Sequence, residues 1–255
     1  MARYFIIGDI HGTLEELREL WEAMSPTKDD VVIPVGDLID KGPDSVGVVR
    51  FLYGKVVEGY TVTPVEGNHD NKLRRYRRHV RLFEEQEKPI PMNPSEDMHR
   101  THAGLTREEG EWMDTFPFYV LIPEHNALVV HGGVMPNVDF LPPMEDIRSY
   151  SNRKRQKYET LLRTRHVTPE GEFVKLGRRT DRDPFWAEVY DGRLGHVYFG
   201  HQPFRQETPK EYPHATGIDL AACFGGWLAA VVLDGDRRDV IVVKAHDTYS
   251  DSYWE

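Results

Sequence analysis

Strand-like runs that end on a metal-ligating side chain beside glycine recur along this chain, and that recurrence constrains the fold more than any other feature. The patches are Gly8-Asp9-Ile10-His11-Gly12, Gly36-Asp37-Leu38-Ile39-Asp40-Lys41-Gly42, Gly67-Asn68-His69-Asp70, Val130-His131-Gly132-Gly133 and Gly200-His201-Gln202-Pro203. Each sets a carboxylate, amide or imidazole next to glycine, and four of the five follow apolar, β-forming residues. Gly217-Ile218-Asp219 closes the series. Glycine lets the backbone turn sharply and leaves room for a ligand at its side. Donors spaced this way converge only where several strand ends meet at one rim.

The intervening segments supply those strands. Tyr4 to Ile7 reads as a first buried strand, followed by a helix on which Leu14, Leu17, Leu20, Trp21 and Met24 recur at helical spacing. Thr13 with Glu16 resembles a capping box at its start. Val31 to Val35 is a second strand with Pro34 disturbing its end, Ser45 to Tyr53 a helix, and Tyr60 to Val65 a third strand. This order predicts a mostly parallel sheet with helices on its faces. Residues 84–111 show no sustained period. Phe118 to Ile122 and Ala127 to Val130 read as a hairpin, and further strands are expected at 196–199, 216–219, 227–233 and 240–244. Two sheets packed face to face and flanked by helices accommodate them all. The charged stretch at about 140–190 falls between two patches and reads as an insertion beside the active site.

The 255 residues suffice for a full-sized core and read as one domain spanning 1–255. A formal net charge of −10 argues against non-specific nucleic-acid binding as the main task. The single cysteine, Cys223, permits no intrachain disulfide and reads as a small buried hydrophobe in a late strand. No signal-peptide core precedes the first motif and no apolar stretch could span a bilayer, so a cytoplasmic protein without a membrane partner is expected.

Phosphate hydrolysis requires that phosphoryl charge be neutralised and that hydroxide be available near neutral pH. Two divalent cations about 3.5–4 Å apart do both. Asp9 and His11, two residues apart, would point the same way in an extended segment. Asp37 and Asn68 follow neighbouring strands, and His131 and His201 each follow a β run. Three oxygen donors and three imidazoles without a thiolate favour manganese or iron, with zinc as an alternative, over a closed structural zinc site. Taken singly, Asp37 is a turn residue, Asn68-His69 a capped helix start and His131 a core histidine. Their joint occurrence in this order is what points to a metal centre.

These motifs resemble those of the calcineurin-like metallophosphoesterases, within them the phosphoprotein phosphatase branch, over residues 4 to about 233 except 140–180. The resemblance implies a four-layer α/β/β/α sandwich with mixed sheets and a dinuclear centre in loops at the strand ends. It implies that Asp9, His11 and His201 hold one metal, that Asn68 and His131 hold the other, and that Asp37 bridges them. Manganese is the expected ion, with iron, zinc, nickel and cobalt as alternatives. It further implies attack by a metal-bridging hydroxide with His69 as general acid, oriented by Asp40.

The chain departs from the branch pattern in two places. Lys41 stands where arginine is usual, which leaves a phosphate contact possible as a point charge but not as a fork. Asp70 replaces the glutamate usual in eukaryotic protein phosphatases, and with Gly42-Pro43-Asp44-Ser45 it looks more like bacterial members. Those include symmetric diadenosine tetraphosphate hydrolases and the phosphatase module of polynucleotide kinase-phosphatases. Asp219 is expected behind the ligands, accepting a proton from a ligand histidine.

The leading expectation is therefore a phosphomonoesterase, with phosphoserine or phosphothreonine in proteins as substrate. Symmetric cleavage of diadenosine tetraphosphate, or action on a nucleotide or RNA end, is the alternative. Lys72, Arg74, Arg75, Arg77, Arg78 and Arg81 crowd into a stretch of ten residues after His69. On a helix Arg74, Arg77, Arg78 and Arg81 share a face, read either as solvated or as a field for an anionic substrate. Arg178, Arg179 and Arg182 are further candidates for a phosphate contact. Aromatic residues are not interleaved with these cations, which makes nucleic acid a minor option.

Overall fold

Among the described residues three large apolar cores separate four layers, and the alternation of side chains along the strands creates them. In the computed structural model, which describes residues 2–251, the parallel strands β1 (Tyr4–Ile7), β2 (Val31–Pro34) and β3 (Thr61–Val62) alternate with helices α1 (Leu14–Met24), α2 (Ser45–Val57) and α3 (Asn68–Gln86). Met1 and residues 252–255, part of the expected domain, lie outside the described residues. Helices α4 (Glu96–Gly104) and α5 (Arg107–Met113) occupy the segment that lacked a period, and the hairpin β4 (Tyr119–Ile122) and β5 (Ala127–Val130) follows. Helices α6 (Met144–Ser149) and α7 (Asn152–Glu159), a ribbon of β6 (His166–Val167) and β7 (Phe173–Val174), and α8 (Trp186–Val189) come next. Strands β8 (His196–Phe199), β9 (Lys210–Tyr212), β10 (Ala215–Gly217), β11 (Trp227–Asp234) and β12 (Arg237–Lys244) complete the order.

Two mixed five-stranded sheets result, ordered β12-β11-β1-β2-β3 and β4-β5-β8-β10-β9. Successive residues of a strand face opposite sides. Ile6, Ile33 and Val231 of the first sheet meet Ile122, Val129 and Tyr198 of the second in a shared core. Phe5, Ile7, Val32, Ala230 and Val232 face the other way and pack under α1, α2 and α3. Leu128, Val130, Val197 and Phe199 likewise turn outward, onto a cover that includes Ile147, Tyr158, Leu161, Leu162 and Trp186. The 140–190 stretch is thus the outer layer of the second sheet as well as a neighbour of the strand ends.

Two local expectations are corrected. Thr13 makes no side-chain cap; its hydroxyl donates to Ile10 O at 2.7 Å. Buried Glu16 instead accepts from His246 N at 2.9 Å and Tyr249 Oη at 2.7 Å, tying the C-terminal segment to α1. Cys223 is buried as expected, but it sits in a turn rather than a strand.

Asp30 fixes the start of the first sheet. Its carboxylate accepts from Arg3 Nη2 at 2.7 Å, Arg3 N at 3.1 Å and Thr27 N at 2.7 Å, joining the approach to β1 with the approach to β2. Burial alone would raise its pKa, but the bonds from Arg3 and Thr27 outweigh burial and hold it below the usual carboxylate range. A depressed folded-state pKa gives stability that is present above the unfolded value near 4 and lost as pH falls further. Asp30→Asn is therefore expected to unfold at lower denaturant than the parent at pH 7. That gap should shrink as both proteins are titrated below about pH 4.

Candidate metal centre

The strand-end loops of both sheets converge on Asp37. Its Oδ2 lies 3.2 Å from His131 Nε2, 3.6 Å from His11 Nε2 and 4.0 Å from His69 Nε2. Its Oδ1 accepts the backbone N–H of His69 at 2.9 Å, in the first turn of α3, where helix amides favour an anion. Asp70 completes that turn by accepting from Gly67 N at 3.0 Å and Leu38 N at 3.2 Å.

Two groups of donors share Asp37: one with His11 and His69, the other with His131 and His201. The sequence reading set His201 beside Asp9 and His11. In the structure its ring instead packs 4.9 Å from that of His131, and only its backbone N–H reaches Asp9, at 3.0 Å from Oδ2. Asp9 Oδ2 lies 4.0 Å from His11 Nε2, and Asn68 Oδ1 lies 3.1 Å from His131 Nε2. Four of the six expected ligands, His11, Asp37, Asn68 and His201, line one small pocket, with Asp9 next to His11 and His131 next to Asn68.

The donor chemistry suits cations. His11 Nδ1 donates to Ile39 O at 2.9 Å and His131 Nδ1 to Val35 O at 3.0 Å. In the neutral ring each bond leaves Nε2 as a bare lone pair aimed at carboxylate or amide oxygens, which are also acceptors. Positive charge between them reconciles the arrangement. Burial pushes the His11 pKa down to about 3, and burial together with Arg165 and His131 pushes that of His201 well down, so both rings are free to ligate. Burial, then the charges of Asp219 and Asp37, raises Asp9 well above the ordinary range. Burial would raise Asp37 too, but His131, His69 and His11 outweigh it and hold it well below. Three carboxylates crowded out of water in this way call for divalent charge.

The backbone is specialised at the same positions. His11, Asp37, Asp40, Lys41, His201 and Ala221 all have positive φ, between 46° and 71°. His11 therefore does not reach the pocket from an extended segment, as its spacing from Asp9 suggested. Non-glycine residues in this region are strained and gather at functional sites. Close approach explains two of the glycines. A methyl group at Gly67 would overlap Asp37, and one at Gly200 would overlap the Asp9 carboxylate.

The remaining expected residues also line or adjoin the pocket. His69 Nδ1 donates to Asp40 Oδ2 at 2.7 Å, which turns Nε2 toward Asp37. Lys41 lies over the Phe224 ring, with Nζ 5.0 Å from its centroid, at the pocket wall. Asp219 is buried beside Asp9, and its pKa is raised to about 6, chiefly by burial. Its carboxylate accepts from Ala221 N at 3.0 Å, and among the described residues no histidine donates to it. The Nδ1 protons of His11 and His131 go instead to the backbone carbonyls of Ile39 and Val35.

Sequence reading missed Arg165, which lines the pocket and donates to His201 O at 2.6 Å. It had offered Arg178, Arg179 and Arg182, all of which are exposed; Arg179 reaches only a side cavity beside Arg163 and Arg165. The expected arginine face on α3 is also divided. Arg74 pairs with Glu66, and Arg77 and Arg81 lie against Asp114.

Comparison with known proteins agrees with this geometry. The sequence profile of the calcineurin-like phosphoesterases matches residues 2–205. The chain is 29% identical over 240 residues to the asymmetrical bis(5'-nucleosyl)-tetraphosphatase PrpE of Bacillus anthracis, covering 90% of this chain and 89% of the relative. The Bacillus cereus protein of the same name gives the same identity and coverage. A crystal structure provisionally assigned as a diadenosine tetraphosphatase superposes with a TM-score of 0.69 at 27% identity, over 96% of this chain and 94% of the other. A Saccharomyces cerevisiae serine/threonine phosphatase superposes at 0.59 with 17% identity, over 96% and 80%, and shares the fold alone.

Gly200→Ala tests the close approach. The added methyl group is expected to displace the Asp9 carboxylate and lower the bound-metal stoichiometry measured by elemental analysis. A control alanine at exposed Gly177, where nothing lies within 4 Å, should keep its metal, although its positive φ of 81° adds local strain.

Proposed function

This chain belongs to the calcineurin-like phosphoesterase family, and on that premise we propose that it hydrolyses dinucleoside tetraphosphates asymmetrically, into a nucleoside monophosphate and a nucleoside triphosphate. The observation that carries the substrate is the 29% identity, over nine-tenths of the chain, to relatives bearing that activity in their name. The family implies divalent metal ions, and we assign Asp9, His11, Asp37, Asn68, His131 and His201 to hold two of them. Manganese is the first choice among manganese, iron, zinc, nickel and cobalt. When bound, the cations activate water and offset phosphate charge.

The protein's own groups do the rest. His69 donates a proton to the leaving oxygen, and Asp40, bonded to Nδ1, keeps the ring oriented. Lys41 and Arg165 contact phosphate oxygens from two walls of the pocket. The whole chain, with residues 140–190 as its outer layer, acts as one domain. No described helix is long and apolar enough to cross a membrane.

The expected protein phosphatase activity is the second reading. The structural neighbours that carry such names are only 14–17% identical to the chain and lend it no substrate. The symmetric cleavage anticipated from the bacterial motifs differs from the named activity of the relatives only in which phosphate is attacked.

Chromatography of the products from diadenosine tetraphosphate with manganese supplied separates these readings. AMP and ATP in equal amounts are expected. Two equivalents of ADP would identify symmetric cleavage, and no cleavage, with orthophosphate released from a phosphopeptide, would identify a protein phosphatase. His69→Ala is expected to lower kcat by about 10²–10⁴-fold while leaving metal content near that of the parent.

A further inference from the structure

Beside the catalytic pocket of about 40 Å³ lies a cleft of about 390 Å³, within the range of small-molecule sites. Six arginines line it: Arg74, Arg75 and Arg78 from α3, Arg148 from α6, Arg155 from α7, and Arg163. Two glutamates also line it, and both are engaged, Glu66 by Arg74 and Glu159 by Arg155 at 3.0 Å. Arg148 donates to Thr115 O at 2.8 Å and Arg163 to Asn71 Oδ1 at 3.2 Å. Among the described residues Arg75 and Arg78 have no hydrogen-bond or ion-pair partner. Arg75 also lies near enough to Arg163 to disfavour its charge, after the larger effect of burial. A chain of net charge −10 has therefore crowded unpaired cations into one concavity.

The cleft is in line with the chemistry. His69 sits in the first turn of α3, and the cleft follows the next turns of the same helix. At a rise of about 1.5 Å per residue, Arg75 and Arg78 stand roughly 10–15 Å along the axis from Asn68. Arg163 links the two cavities, since it also borders the gap that Arg165 and Leu176 share with the catalytic pocket. Phe116, Phe118 and Met144 give the cleft an apolar wall. Guanidinium forks match phosphate oxygens, and an apolar wall suits a nucleobase.

We propose that this cleft binds the nucleoside triphosphate half of the substrate, its phosphate chain on Arg75, Arg78 and Arg163 and its base against the apolar wall. The inference rests on the asymmetric reading above, in which that half leaves carrying the bridging oxygen that His69 protonates.

The test is an Arg75→Ala/Arg78→Ala variant of the metal-loaded enzyme, both positions being exposed and outside the catalytic pocket. KM for diadenosine tetraphosphate is expected to rise at least about tenfold, and calorimetric affinity for inorganic tripolyphosphate to fall comparably. Turnover of nitrophenyl phosphate should not change, and lysines at both positions should restore part of the loss. Unchanged KM and tripolyphosphate affinity would overturn the proposal, as would an equal loss on nitrophenyl phosphate. If the parent enzyme leaves diadenosine tetraphosphate intact, the asymmetric reading fails. The tripolyphosphate comparison then decides the cleft: a difference keeps it as a polyphosphate site, and equality removes it.

Discussion

Asp37 is a carboxylate held out of water among three imidazoles, and the architecture around it can be understood as what that placement requires. An isolated buried carboxylate would be protonated or expelled. Here the His69 amide, in the first turn of α3, binds one oxygen while His11, His69 and His131 face the other. Asp219 lines the same pocket and Asp9 is buried beside it, and burial, with the charge of Asp37 added, raises the pKa of both. Such a cluster is unfavourable by itself and favourable around divalent cations. The left-handed backbone at His11, Asp37, Asp40, Lys41 and His201 adds strain, on the order of 1–3 kcal/mol per residue. The apolar cores between the sheets and on their outer faces supply the stability that offsets it.

No single sheet could build this pocket. Asp9, Asp37 and Asn68 follow strands β1, β2 and β3 of the first sheet, whereas His131 and His201 follow β5 and β8 of the second. The shared core of Ile6, Ile33, Val129 and Tyr198 fixes the separation of the two sets of loops. The bond from His131 Nδ1 to Val35 O crosses between the sheets and sets the ring tautomer at the same time. Packing and ligand orientation are therefore one constraint, and a change in sheet spacing would be felt first at the imidazoles.

What could be read from the sequence follows from how local each signal is. The candidate donors were legible because glycine and a preceding β run mark a strand-end position within a few residues. Strands β4, β5, β8 and β11 were legible because their side chains are apolar and β-forming. Helices α4 and α5 were not. One buries only Met98 and Thr101, the other Glu109, Gly110 and Met113, so neither carries an apolar stripe. Glu16 was misread as part of a cap because its partners lie 230 and 233 residues away. Arg165 carried no local mark at all, because only the packing of residues 140–190 brings it to the pocket.

That last region also explains how an acidic protein can serve an anionic substrate. The catalytic pocket is rich in carboxylates and needs cations of its own, so it cannot also be a broad positive surface. Its positive charge is confined to single side chains: Arg165 lines the wall and Arg163 borders the adjoining gap, where the outer layer of the second sheet meets the strand-end loops. Leu161 and Leu162, immediately before them, are buried in that layer's core with Phe199 and Trp186. The backbone of Gly132, next to His131, donates to Leu161 O at 2.7 Å. Apolar anchoring and cavity-lining cations are thus carried by five consecutive residues. Substrate preference in this chain cannot be changed by removing the 140–190 layer without also uncovering the sheet that positions His131 and His201.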